Sequence, residues 1–329
     1  MNWTYSSFAL LLVLQAAVPS PLPDFYRNVD RLTWIVDDVD ATVRGWKKLG
    51  FENIREPGEI ELAVTFRGKK ETVKCRAASG WLGDLAVDWY QLRGGNNAFS
   101  EFKARHGAGV FSIVHRIPDR RALDAELQRM RQLGVSVLQT VDPGTSAGPT
   151  TYTYLDTETG GKYVLGLVLS SAPLTAPPAA AKPCGPVVQY AFTVRRLDPV
   201  FEYWKRLGFT QTSVTHPTLW DLRYHDRPGN FDAELGWQRH GKVVYEWILP
   251  LKGPTVYQDQ LDRHGEGVHH IAFEVPDLDK EVARWNSLGF PFVQGGAWGE
   301  KGKPGYGRFA YQSTQTLGGT DVELLWNFR

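Results

Sequence analysis

From Val268 to Val275 the side chains alternate, so that Ile271, Phe273 and Val275 share one face of an extended segment while His270, Ala272 and Glu274 share the other. This period of two predicts a half-buried strand. The apolar face suits a covering helix, and Asp277 is placed to cap a helix that begins near Leu278. On strict alternation His269 faces the helix and is structural, whereas His270 faces whatever the other side encloses. The pattern occurs earlier as Val110 to Asp119, with Ser112 in the place of His270.

The offset between the two copies is 158 residues, and it also maps Trp46 onto Trp204, Gly50 onto Gly208, Trp89 onto Trp247, Gly95 onto Gly253 and Gly160 onto Gly318. A repeat of this length means two copies of one domain. Each copy is itself double. A helical segment ending in Leu-Gly-Phe or Leu-Gly-Val occurs four times, at 46–51, 129–135, 204–209 and 285–290, with the glycine where a helix C-cap is expected. An apolar strand precedes each helix, and short alternating segments broken by Gly, Asp, Asn and Pro follow it. The unit is strand, helix and about three strands, four times over.

Residues 170–186 are rich in Pro and Ala without a hydrophobic period, and read as an extended linker between domains at 27–169 and 187–329. Residues 1–20 carry no charged side chain, and Phe8 to Val18 form an apolar run of signal-peptide length, too short for a stable membrane span. Export to the periplasm or the extracellular space is the expectation. The two cysteines, Cys75 and Cys184, exclude a disulfide framework and are expected as free thiols. A net charge of +1 with no basic block excludes an electrostatic case for nucleic acid and leaves a small-molecule substrate.

Four such units in two tandem pairs resemble the vicinal oxygen chelate superfamily over essentially all of residues 27–329. The resemblance implies an α+β fold of two tandem domains, each of two βαβββ modules forming an incomplete barrel. In that superfamily the metal ligands come from the first and last strands of each module. Those positions hold Gln189, Glu246, His270 and Glu323 in the second domain, and Arg31, Asp88, Ser112 and Leu165 in the first. Arg31 and Leu165 cannot ligate and Ser112 is a poor donor, so the first domain is expected to be metal-free. One imidazole, one amide oxygen and two carboxylates suit a single divalent ion, with Zn, Ni, Co, Mn, Mg and Fe all compatible. His264 recurs as His106 in the metal-free copy and reads as a turn residue.

Within the superfamily the second domain is similar to methylmalonyl-CoA epimerases, through Glu246 to Leu251, Gly265 to Val275, Ser313-Thr314 and Gly318 to Leu324. Its Gln, Glu, His, Glu set is similar to that of glyoxalase I. Both families move a proton on a carbon next to a carbonyl. The resemblance therefore implies a metal-dependent isomerase, epimerase or lyase, with Glu246 and Glu323 as the catalytic carboxylates. A second branch is the extradiol and 4-hydroxyphenylpyruvate dioxygenases, whose iron is held by two His and one Glu; here Gln189 stands at the first His position. A third reading is a non-catalytic small-molecule binder. Gly295 to Arg308 is Gly-rich, cationic and aromatic, and reads as a lid over a carboxylate-bearing substrate, with Trp298, Tyr306 and Arg308 as the substrate-binding candidates.

Overall fold

The structure is a computed structural model that describes residues 22–144, 148–172 and 184–327. The leader at 1–20 and most of the linker lie outside the described residues. The first half runs β1 (Arg31–Ile35), α1 (Val39–Lys48), β2 (Gly58–Phe66), β3 (Lys69–Leu82), β4 (Leu85–Leu92) and α2 (Ala98–His106). It continues through β5 (Gly109–Arg116), α3 (Arg120–Gln132), β6 (Val137–Asp142), β7 (Thr150–Leu155), α4 (Glu158–Gly161) and β8 (Val164–Ser170). The second half runs β9 (Val187–Thr193), α5 (Leu197–Arg206), β10 (Thr212–Thr215), β11 (Leu219–Tyr224), β12 (Arg227–Pro228), β13 (Asp232–His240) and β14 (Val243–Lys252). After it come α6 (Val256–Arg263), β15 (Gly267–Glu274), α7 (Leu278–Ser287), β16 (Phe292–Trp298), β17 (Gly307–Gln312) and β18 (Asp321–Asn327). No helix among the described residues is long and apolar enough to cross a membrane.

The four Leu-Gly helix ends form as the pattern predicts, with Gly50, Gly134, Gly208 and Gly289 all at positive φ, where a side chain would be strained. Asp277 caps α7 by accepting from the Lys280 amide. Helices α2 and α6, which join the two modules of each half, were not expected from the alternation. Each is started by a cap, Asn97 accepting from the Ser100 amide and Thr255 from the Tyr257 amide.

The two halves differ in closure. The expectation was an incomplete barrel in each, but the first half closes completely, because β2 pairs with β3 on one side and β6 on the other. Its equivalent in the second half is broken at Pro217 into β10, which stays with β13, and β11, which stays with β16. Proline offers no N–H and interrupts a ladder at that point. The second sheet is therefore a ten-stranded half-barrel with its edges at β10 and β12.

Each sheet encloses its own side chains, but the helix-facing layer is common to both halves. Trp34, Trp46, Trp89, Trp204, Trp247 and Trp285 are all fully buried in one cluster drawn from the two. Several polar groups bond across the junction in both directions. The Trp34 indole donates to the Gly318 carbonyl at 2.7 Å and that of Trp204 to Gly161 at 3.1 Å. Arg284 donates to the Leu49 carbonyl at the end of α1, and Arg129 to Leu207 at the end of α5, each at 2.9 Å. His106 and His264 each bond the other's backbone carbonyl through Nδ1 at 2.6 Å, so these expected turn residues tie the halves together. Close approach needs a missing side chain: a Cβ on Gly45 would stand 2.1 Å from Leu317 of the opposite half.

His115 sits in the same junction, with its Nδ1 2.7 Å from the Asn28 carbonyl and its Nε2 3.3 Å from the Tyr245 hydroxyl. Burial pushes its pKa down to about 4. The unfolded chain takes up this proton near pH 6.5 and the folded chain does not, so the contribution is whole above about pH 6.5 and is lost as pH falls toward 4. Denaturant titrations across that window should show a loss of up to about 3 kcal/mol from this group. In His115→Gln the slope should fall by about one proton.

Candidate metal centre

Glu246 on β14, His270 on β15 and Glu323 on β18 point into the half-barrel, and one ligand atom of each lies within 4.8 Å of the others. His270 Nε2 is 3.1 Å from a Glu323 oxygen and 3.6 Å from a Glu246 oxygen. Gln189 on β9 completes the cluster by donating from its amide to Glu246 at 3.2 Å. Parallel pairing of β9 with β14 and of β15 with β18 puts first and last strands side by side, which is why residues far apart in sequence meet. Alternation does the rest. Val322 and Leu324 flank Glu323 and belong to the helix-facing core, as Tyr245 and Trp247 do around Glu246.

Burial makes these groups costly to charge. Glu246 is held well above the usual carboxylate range by burial and then by the nearby Glu323. Burial pushes Glu323 up to about 8, against hydrogen bonding from Tyr311 that draws it down. The same burial pushes His270 down to about 3, so its imidazole is neutral and able to ligate.

His269 departs from the alternation. The ladder between β9 and β15 shifts register between Val268 and His270, and this bulge turns both histidines toward the interior. His269 is therefore not on the helix side: its Nδ1 is 2.7 Å from His270 Nδ1, and its Nε2 is 4.0 Å from Asp321. For His270 to offer Nε2 to an ion, its proton must sit on Nδ1 and be donated to His269, which fixes the ring. Tyr311 on β17 packs against His270, with ring centroids 4.8 Å apart, and its hydroxyl meets that of Tyr257 on α6 at 2.9 Å. Neither tyrosine was singled out by sequence. Tyr311 alternates inward two residues after Phe309, a signal that was present, whereas Tyr257 depends on the unexpected α6.

The first half carries the same frame with a different filling. Ser112 pairs with Val164 where His270 pairs with Asp321, so the last strands correspond at 157 residues rather than 158. The counterpart of Glu323 is thus Gly166. Leu165 turns to the helix-facing core. A Cβ at Gly166 would lie 2.6 Å from the Ser112 hydroxyl. Arg31, in the place of Gln189, reaches Asp88 at 3.0 Å, and Tyr152 donates to the same carboxylate at 3.1 Å. A guanidinium stands among the groups where the other half offers ligands, and Asp88 in turn raises the Arg31 pKa.

The donors of the second half fit a divalent ion. Three ligand atoms within 4.8 Å of one another can share a centre at ordinary bond lengths of about 2.0–2.5 Å. Two buried carboxyls without a cation between them are driven toward protonation, as both shifts record. Residues 188–311 match the model of the Glyoxalase/Bleomycin resistance protein/Dioxygenase superfamily. The second half of the chain thus carries a domain of the vicinal oxygen chelate superfamily. Among solved structures, a variant of 4-hydroxymandelate synthase from Streptomyces coelicolor aligns over 91% of this chain and 92% of its own, with a TM-score of 0.58 and 15% identity. A xylose isomerase-like TIM barrel/4-hydroxyphenylpyruvate dioxygenase fusion protein aligns over 94% of this chain, which spans 50% of that protein, with a TM-score of 0.52 and 16% identity. At these identities the likeness is one of fold. None of the curated proteins compared matches the chain in sequence.

Two of the three substrate candidates stand away from this cluster. On β17, Phe309 and Tyr311 face the interior, so Arg308 faces out, where Asp279 of α7 holds it by two bonds of 2.7 and 2.8 Å. Tyr306 is buried between Trp220 and Trp326. Trp298 packs on the interior cluster, its ring 6.4 Å from that of Phe309. Of the three it alone shares a face with the site.

His270→Ala should abolish stoichiometric metal uptake measured by elemental analysis, while Ser112→Ala leaves it unchanged. His269→Gln should weaken affinity by about 10- to 100-fold through loss of the ring that orients His270. Because Glu323 holds its proton up to about pH 8, binding must release it, and affinity measured by competition with a chelator should rise with pH up to that value.

Proposed function

We propose that the protein is a metal-dependent enzyme that moves a proton on a carbon next to a carbonyl of a small substrate, as an isomerase, epimerase or lyase of the glyoxalase type. The observation that carries this reading is the donor set, with one imidazole facing two carboxyls in a buried cluster and the Gln189 amide beside them. A divalent ion held by Glu246, His270, Glu323 and Gln189 would polarise the substrate carbonyl and offset negative charge developing on its oxygen.

The chain's own groups supply the proton chemistry. A carbon acid of this kind is too weak to give its proton to a carboxylate in water. Glu323, once loosened from the ion by an arriving substrate, would be a stronger base than that, because burial raises its pKa toward the working range. Glu246 lies on the last strand of the other module, so the two carboxyls can address a substrate carbon from different sides, one removing a proton and the other returning it. Gln189 steers Glu246 through its amide bond, and the Tyr311–Tyr257 pair walls the site beside His270.

An iron dioxygenase is the second reading, favoured by the fold likeness to 4-hydroxymandelate synthase. Oxygenases of this kind use two His and one carboxylate. Here one imidazole faces two carboxyls, and the second histidine, His269, bonds the first rather than the site.

Metal-loaded protein incubated anaerobically in heavy water with 2-oxo acids, 2-methyl-3-oxo thioesters and hemithioacetals should incorporate deuterium, and Glu323→Gln should lose that activity. Turnover that strictly requires oxygen and iron would replace this reading with the dioxygenase one.

A further inference from the structure

We propose that the closed first barrel is a second binding site, separate from the metal centre, for a small carboxylic acid with an aromatic or otherwise planar body. A cavity of about 580 Å³ lies in this barrel, within the range of small-molecule sites. Its space comes from sequence: the residues of β3 that alternate toward the cavity ahead of Trp81 are Ala77 and Ser79, side chains too small to fill the interior. Trp81, Tyr90 and Tyr152 add flat aromatic surface.

The charge in the cavity leaves one cation unbalanced. Asp30 bridges Arg31 and Arg116, accepting from their Nε atoms at 2.8 and 2.7 Å, and Asp88 accepts from Arg31 Nη1. Two guanidinium groups thus face two carboxylates. Arg55 also lines the cavity and makes no ion pair among the described residues, while its neighbour Glu56 is held by Lys47. One ligand carboxylate would balance Arg55. The bonds to Asp30 and Asp88 use Nε of both inner arginines and Nη1 of Arg31, so Nη2 of each is available to a second carboxylate oxygen. The Arg31 guanidinium lies 5.9 Å over the Tyr152 ring, and a planar acid can extend that stack. The Arg31–Asp88 pair that takes the place of a metal site becomes, on this account, the floor of an anion site.

The test uses the full chain stripped of metal with a chelator, and the Glu323→Gln variant treated likewise, so that the proposed chemistry of the second half plays no part. Titration calorimetry with 4-hydroxybenzoate should give saturable one-to-one binding in both. Benzamide, of the same shape without the charge, should bind at least about tenfold more weakly, and so should 4-hydroxybenzoate to Arg55→Met, whose substitution is at the exposed rim. Trp81→Leu should weaken binding independently of charge. Absence of saturable binding to millimolar concentration, equal affinity for benzamide, indifference to Arg55→Met, or loss of binding in Glu323→Gln would each overturn the proposal.

Discussion

Two carboxyl groups buried in one cavity cannot both be charged unless a cation stands among them. Glu246 and Glu323 are in that position, and the half-barrel around them is arranged to make a cation welcome: a neutral imidazole, an amide, and walls that exclude water. The first half meets the same constraint from within the chain. There a glycine replaces one carboxylate and Arg31 brings the positive charge covalently, so the frame is stable without any ion. The difference between a candidate metal centre and an internal ion pair comes down to what occupies a few equivalent positions on a shared set of strands.

The fold was legible because it repeats. Alternation on β15, the Leu-Gly helix ends and the constant spacing between copies all express backbone geometry directly, and the four clustered residues followed from strand positions. What was hidden arose where geometry departs from its period. The bulge at His269 adds a residue without changing composition, so strict alternation sent that side chain to the wrong face. A one-residue shortening before β17 moved the counterpart of Glu323 from Leu165 to Gly166. Arg308 looked like a ligand group because it lies in a Gly-rich stretch, but its strand phase commits it to Asp279. Closure of the first barrel turns on Pro217 being absent from its copy, a contrast visible only once both strands are paired.

The helix layer explains why the halves are not simply two beads on a string. Six buried tryptophans and reciprocal caps from Arg129 and Arg284 make each half complete the other's surface. This reciprocity is that of a two-fold symmetric dimer carried within one chain. The two copies of the domain thus supply two barrel interiors and one common layer.

The break at Pro217 has a cost of its own. A closed barrel has no free edge, but a half-barrel ends in two rows of unpaired backbone groups, which invite pairing with other chains. The second half meets this hazard with the composition of its rims. β10 is four residues long and reads Thr-Ser-Val-Thr, while β12 is an Arg-Pro pair whose proline cannot donate to an incoming strand. The sheet left open at its two ends is thereby kept from polymerising along them.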